Sequence, residues 1–238
     1  MNRKIELLKN IIEDSNNIVF FGGAGVSTES GIPDFRSKDG LYNQKYKFSP
    51  EEILSHHFFI NHTADFYEFY RNKMNSLKCH PNITHYKLVK LENKGILRGI
   101  ITQNIDGLHQ KAGSKNVLEL HGSILRNHCM ECNKFYDANY VFNTKNIPYC
   151  ECGGIIKPDV VLYEESLDYF ILEDSISLIS SCDTLIIGGT SLSVYPASGL
   201  IIYFKGKNLV LINKDVTPFD NIASLVINDS LGNVFSNI

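Results

Sequence analysis

Four short runs in this chain carry almost nothing but large apolar residues: Ile18–Phe21, Arg98–Thr102 (after its first residue), Asp183–Gly189 and Asn208–Asn213 (between their polar ends). A strand with one wet face alternates polar with apolar residues, whereas a strand buried on both faces reads as an unbroken apolar run. Strands of that kind belong to a parallel sheet covered by helices on either side. Helical patterns do lie between the runs, at 3–15, 82–93, 168–181 and 196–204, with another near the C-terminus. Two weaker strand patterns occupy 160–163 and 225–228. The expected class is therefore α/β, with a Rossmann-like doubly wound parallel sheet.

In such a sheet ligands sit at the carboxyl ends of the strands. There each run passes into small or polar residues: GGAGVST (22–28), QNIDG (103–107), GGTS (188–191) and Asn213-Lys214. Gly23, Ala24 and Gly25 have little or no side chain, so backbone N–H groups can approach a pyrophosphate at a helix start, with the Thr28 hydroxyl beside them. The sixth position of a G-x-G-x-x-G fingerprint is Thr28 here, not glycine, so the loop alone reads equally well as a bare glycine turn.

Two stretches break the alternation. Residues 32–76 offer no clear sheet strand but an aromatic helical pattern at 62–74, and residues 123–157 hold four of the six cysteines. Both are expected to be insertions that form a smaller domain, with 1–31, 77–122 and 158–238 making the sheet domain. Cys129-x-x-Cys132 followed by Cys150-x-Cys152-Gly-Gly has the spacing of a zinc ribbon. Four thiolates close a tetrahedral site and leave no place for water, so one structural Zn2+ is expected. Cys79 and Cys182 stand alone and read as packing residues.

The N-terminal MNRKIELLKNIIED is too polar for a signal peptide, and no apolar run approaches a membrane span. Six cysteines without a secretory signal argue for metal or thiol chemistry in a reducing compartment rather than disulfides, which suggests a cytoplasmic protein. A net charge of −3 gives no footprint for nucleic acid. Nothing in the residues sets an oligomeric state.

Taken in order, GAGVSTESGIPDFRS (23–37), TQNIDGLHQKAG (102–113), ELHGS (119–123), the cysteine pairs, GTSLSVYPA (189–197) and LIN (211–213) resemble the sirtuins, the NAD-dependent protein lysine deacylases, over nearly the whole chain. The resemblance implies that NAD is bound and consumed, and that the partner is an acetylated lysine-containing protein or peptide. It matches Ala24 and Thr28 to NAD-contacting positions, and it places Asp34 and Arg36 in the same cofactor loop. Phe35 matches a residue that covers the nicotinamide pocket, and plain core packing is its other reading. Gln103 would hold the nicotinamide ribose, and Asn104 would orient its hydroxyls or a water. Ile105 and Asp106 would receive the carboxamide, though a helix cap suits Asp106 as well. Gly188, Thr190 and Ser191 would face the phosphates, and Asn213 with Lys214 the adenosine ribose. His121 matches the general base, a role that an imidazole with a near-neutral pKa can fill.

The same resemblance implies peptide capture as an added strand between Val160–Glu164 and Ser193–Tyr195, with Val194 between the latter two. Val160 and Tyr163 would line the acyl-lysine passage. The family commonly has Phe-Gly-Glu where this chain has Tyr163-Glu164-Glu165, so Glu164 adds bulk and charge beside the peptide. Family members that take acidic acyl groups carry a Y-x-x-R pattern. Here Tyr67 and Tyr70 fall in register and Arg71 comes one place late, so neutral acyl groups are expected. In the implied reaction the acyl oxygen attacks the ribose carbon as nicotinamide leaves. His121 then activates a ribose hydroxyl, and the products are lysine, nicotinamide and O-acyl-ADP-ribose. The rivals are a mono-ADP-ribosyltransferase on the same NAD site, a hydride-transferring dehydrogenase and a non-catalytic NAD-binding module.

Overall fold

The computed structural model describes residues 2–34, 47–193 and 195–238. The chain opens with α1 (Asn2–Asp14) and β1 (Ile18–Gly22), and two single 3-10 turns follow at Ala24–Val26 and Thr28–Ser30. Three short helices come next, α2 (Pro50–Ile53), α3 (His56–Asn61) and α4 (Thr63–Lys73). Then come α5 (Ile83–Asn93), β2 (Leu97–Thr102), α6 (Leu108–Ala112), β3 (Val117–Glu119), β4 (Gly122–Cys129), β5 (Phe135–Asp137), α7 (Ala138–Asn143) and β6 (Ile156–Val160). The last part holds α8 (Tyr169–Ser181), β7 (Thr184–Gly188), a 3-10 segment at Ala197–Tyr203, β8 (Asn208–Ile212), β9 (Leu225–Ile227) and α9 (Leu231–Ser236).

Six strands form one sheet in the order β3-β2-β1-β7-β8-β9, and every pairing in it is parallel. The chain winds outward from β1 to β3, then returns to β7 on the other side of β1. The switch point where two consecutive loops part to opposite faces therefore falls between β1 and β7. Successive side chains of a strand point to opposite faces, and the packing follows. Ile18 and Phe20 join Ile5 and Leu8 of α1, Leu88 of α5 and Phe235 of α9. Val19 and Phe21 join Ile179 of α8 with Leu200 and Ile201 of the 3-10 segment. Strands β1 and β7 are buried at every residue, which explains their unbroken apolar sequence.

The antiparallel sheet β5-β4-β6 stands apart from the parallel one. A third apolar cluster joins it to the helices of the 50–73 region: Phe58, Phe59, Phe66, Tyr67 and Tyr70 pack with Ile124, Val141, Phe142 and Ile156. The Tyr70 ring lies parallel to Phe142 with centroids 5.3 Å apart.

Two expectations need correction. The strand read at 160–163 ends at Val160 and belongs to β6 of the antiparallel sheet. Its apolar residues serve the third cluster, which periodicity cannot distinguish from a parallel core strand. The pattern at 196–204 is a 3-10 segment rather than an α-helix. The three-residue β3 extends the parallel sheet at its edge.

Candidate functional site

The carboxyl ends of β1, β2, β7 and β8 lie side by side, and the loops that leave them hold one another. The amide of Gly23 donates to Gly188 O at 3.1 Å and that of Gly25 to Gly189 O at 2.8 Å. A Cβ on Gly25 would stand 2.6 Å from the Gly189 Cα, so the two loops meet only because both residues are glycine. This gives Gly23 and Gly25 a duty that the sequence did not reveal: their amides join the two loops across the switch point. Thr28 Oγ1 donates to Gly25 O at 3.1 Å. Thr190 Oγ1 accepts from Gln103 Nε2 at 3.2 Å and from Leu192 N at 3.1 Å, tying the β2 loop to the β7 loop.

Behind them sits a network with one member that the sequence reading missed. Ser27, 1% exposed, donates to Asp106 Oδ2 at 2.6 Å and accepts from Asn104 Nδ2 at 3.1 Å. Asp106 Oδ1 accepts from Leu108 N at 2.8 Å, so the carboxylate does serve the start of α6 as a cap does. Burial pushes the Asp106 carboxyl above its usual range, and the bonds from Ser27 and Leu108 pull it partly back. Asn82, also missed, donates from Nδ2 to Val26 O at 2.8 Å and Ser30 Oγ at 3.0 Å. It holds the glycine loop against the head of α5. Ser27 lies inside the glycine motif and was legible in principle. Asn82 carried no signal beyond its position before a helical pattern.

His121 follows β3 by two residues. Its Nδ1 lies 2.9 Å from Gln103 O. A carbonyl can only accept, so Nδ1 carries the proton and Nε2 keeps its lone pair. Burial lowers the imidazole pKa below 6.5, partly offset by the bond to Gln103 O. The resident form near pH 7 is therefore the neutral imidazole with a basic Nε2, as a general base requires. The Ile105 carbonyl accepts from Ile124 N at 3.0 Å, which fixes the other side of the same loop to β4.

The other predicted residues are placed as follows. Asp34 is half-buried at the end of the first described segment, Ser191 is exposed, and Asn213 Nδ2 donates to Asp215 O at 2.9 Å beside an exposed Lys214. Phe35, Arg36 and Val194 lie outside the described residues. Val160 is buried in the third cluster, whereas Tyr163 is 38% and Tyr195 82% exposed. The 160–164 segment is strapped on both sides. Val161 N donates to His121 O at 3.0 Å, Tyr163 N to Leu54 O at 2.9 Å, and His56 N to Tyr163 O at 2.9 Å. Glu164 adopts φ 74°, a left-handed backbone that suits glycine. Its Oε2 accepts from His57 N at 2.9 Å, so the carboxylate caps the first turn of α3.

The four ribbon cysteines converge with all their sulfurs within 4.8 Å of one another. The Cys129–Cys152 and Cys132–Cys150 pairs lie 3.4 and 3.5 Å apart. Zn–S bonds of about 2.3 Å imply a tetrahedral edge of about 3.8 Å, so these sulfurs fit a zinc ion after small adjustments. The one-residue spacing of the second pair is accommodated by Gly153, at φ 89°, and by the bond from Cys150 N to Gly154 O at 2.8 Å. The Cys152 amide and the Tyr136 hydroxyl lower the Cys150 thiol to about 6, favouring the thiolate that binds metal. Purified protein is expected to carry one zinc per chain and to lose it when Cys129 and Cys150 are replaced by serine. Elemental analysis that finds zinc retained in that variant would refute the site.

A Sir2 family model matches residues 23–196. The chain is 62% identical to an NAD-dependent protein deacetylase of Clostridium acetobutylicum, over 99% of this chain and 98% of that one. It is 59% identical to an NAD-dependent protein deacetylase of Clostridium perfringens, over 100% and 99%. Among solved structures it is similar to Sir2 with a deacetylated p53 peptide and 3'-O-acetyl ADP ribose. That match has a TM-score of 0.91 and 36% identity over 98% of this chain and 96% of that one. Sir2 bound to an acetylated peptide matches with a TM-score of 0.87 and 35% identity over 98% and 95%.

Proposed function

This chain belongs to the Sir2 family and is an NAD-dependent protein deacetylase; from that premise we propose how its own residues divide the work. The observation that carries the proposal is the imidazole of His121, which lies between β3 and β4 and is held through Nδ1 by Gln103 O with Nε2 left basic. NAD supplies the ribose that accepts the acyl group and the nicotinamide that leaves. The glycine loop (Gly23, Ala24, Gly25, Thr28) and the β7 loop (Gly188, Thr190, Ser191) cradle the phosphates. Asn213 and Lys214 take the adenosine ribose. Gln103 and Asn104 hold the reacting ribose, and Ile105 and Asp106 receive the carboxamide. Asp34, Phe35 and Arg36 complete the nicotinamide end. After nicotinamide departs, His121 Nε2 takes the proton from a ribose hydroxyl, which makes that oxygen a nucleophile toward the acyl carbon. A single structural zinc holds the ribbon through Cys129, Cys132, Cys150 and Cys152. The acetylated peptide docks as a strand between Val160–Glu164 and Ser193–Tyr195. A set of four thiolates suits the reducing cytoplasm, where we place the protein.

We also propose that neutral acyl groups are preferred, because the residues in the acidic-acyl register are spent elsewhere. The Tyr67 hydroxyl donates to Ile156 O. Arg71 donates through its two terminal nitrogens to Asn146 O at 2.9 Å and Lys145 O at 3.0 Å. Tyr70 is fully buried. A carboxylate on the acyl chain would meet none of these groups without breaking the third cluster. One assay tests both statements. The protein is incubated with NAD and a peptide carrying acetyl- or succinyl-lysine, and products are identified by mass. O-acetyl-ADP-ribose is expected, with kcat/KM for acetyl exceeding succinyl by roughly 10-fold or more, the value of one lost charge-assisted pairing. ADP-ribosylated protein would instead favour a transferase. Succinyl turnover above acetyl turnover would refute the preference.

A further inference from the structure

We propose that Arg126 is a positioning residue that pins the His121 loop to the substrate strand; the proposal rests on the reading of His121 as the base. Strand β4 starts at Gly122, immediately after His121, and runs antiparallel to β6, which leads into the substrate segment. Their backbone ladder is interrupted. Gly122 and Ser123 pair with Val160 and Asp159, and pairing resumes only with Asn127 opposite Pro158. Residues 124–126 have no partner on β6, so a bulge separates the base from the regular part of the sheet. Within it Ile124 N turns to Ile105 O.

Arg126 bridges that gap with its side chain. One terminal nitrogen donates to Glu119 Oε2 at 2.8 Å, and its Nε faces Asp159 Oδ2 at 3.7 Å. Glu119 lies two residues before His121, and Asp159 lies two residues before Val161, whose amide holds the His121 carbonyl. One guanidinium thus ties together the segments on both sides of the base. The chain continues at each end. Glu119 Oε1 accepts from Gln110 Nε2 at 2.8 Å, which reaches α6 just after the 103–107 loop. Asp159 Oδ1 lies 2.7 Å from His128 Nδ1, on β4 beside the first ribbon cysteine. Glu119 is only 10% exposed in its side chain, while Arg126 is 46% exposed. An ion pair with one exposed partner adds little to stability, so its value here is geometric: it ties Glu119, before His121, to Asp159 of β6 from within the stretch 124–126 that the β4–β6 ladder leaves unpaired.

The test separates the two stages of the reaction. Nicotinamide departure precedes the His121 step, so exchange of labelled nicotinamide into NAD, with acetylated peptide present, reports the first stage. O-acetyl-ADP-ribose formation reports both. Arg126→Ala is expected to lower the kcat of product formation roughly 10-fold, the scale of a sub-ångström misplacement, while nicotinamide exchange and the melting midpoint stay near those of the parent protein. Arg126→Lys should recover part of the loss, and Arg126→Ala with Glu119→Gln should be no worse than the poorer single variant, because the two act as one unit. Unchanged kcat, an equal fall in exchange and product formation, a melting loss large enough to explain the fall, or additive single effects would each overturn the proposal. His121→Ala is the control. If it retains product formation, the base assignment is at fault; if it abolishes it and Arg126→Ala does not slow it, the pin is.

Discussion

Replacing His121 by alanine is expected to lower O-acetyl-ADP-ribose formation by about 100-fold or more, the usual contribution of a positioned general base, without loss of the fold. His121 is bonded to its surroundings through Nδ1 and Gln103 O and through its own carbonyl and Val161 N. Only the first of these is lost in the variant. The pH dependence of the parent protein offers a second check. The base works deprotonated, and burial pulls its pKa below 6.5. Activity should therefore be full at pH 7 and fall only as pH drops through the lowered value, so the acid limb of kcat/KM lies under pH 6.5. Steady-state assays, with each sample returned to pH 7.5 to confirm recovery, check the sign. An acid limb above pH 6.5, or an alanine variant with parental product formation, would remove His121 from the role of base.

The parallel sheet was legible in the sequence because its four central strands are buried on both faces and show no alternation. The one misplaced strand, at 160–163, has the same composition for a different reason: Val160 and Leu162 fill the third cluster. Composition reports burial, not the sheet in which it occurs. The cysteine cluster was legible because metal ligation demands specific atoms at short spacing, and the chain brings all four sulfurs together. What the sequence hid were relations between loops. Ser27 reads as a small turn residue, yet it joins Asp106 to Asn104 across 79 and 77 positions of chain. Gly25 reads as a phosphate glycine, yet its amide and missing Cβ are used against Gly189. Glu164 reads as a charge beside the peptide, yet its carboxylate caps α3. In each case a residue's type announces what it can do, and only the fold shows which partner has taken it.

Lowering the pH from 7.5 to 5.0 is expected to remove about 4 kcal/mol of stability through two histidines outside the reaction site. His85 and His109 are 0% and 1% exposed, and their ring centroids are 4.8 Å apart. His85 Nδ1 accepts from Asn82 N at 3.2 Å in the cap of α5. His85 Nε2 and both nitrogens of His109 have no hydrogen-bond partner among the described residues. Desolvation lowers His85 to about 4 and His109 to about 3, with the neighbouring His85 as a second cause for His109. Both values lie below the 6.5 of an unfolded histidine, so the unfolded chain binds more protons than the folded one throughout the window from about 6.5 down to about 4. Stability falls as pH falls there, by about 1.4 kcal/mol per unit for each histidine. At pH 5.0 the folded pair is still neutral and the full slope of both has acted over about 1.5 units. That is a large part of a total stability of roughly 5–15 kcal/mol. Carboxylates held below their usual range, such as Glu165 and Glu151, lose their stabilising charge only at lower pH. Urea titrations at pH 7.5 and 5.0 measure the loss, with zinc content followed in the same samples because acid also protonates thiolates. The double variant His85→Gln, His109→Leu should show a much shallower loss at equal zinc content. If it loses as much stability as the parent between the two pH values, the buried pair is not the acid-sensitive element of the fold.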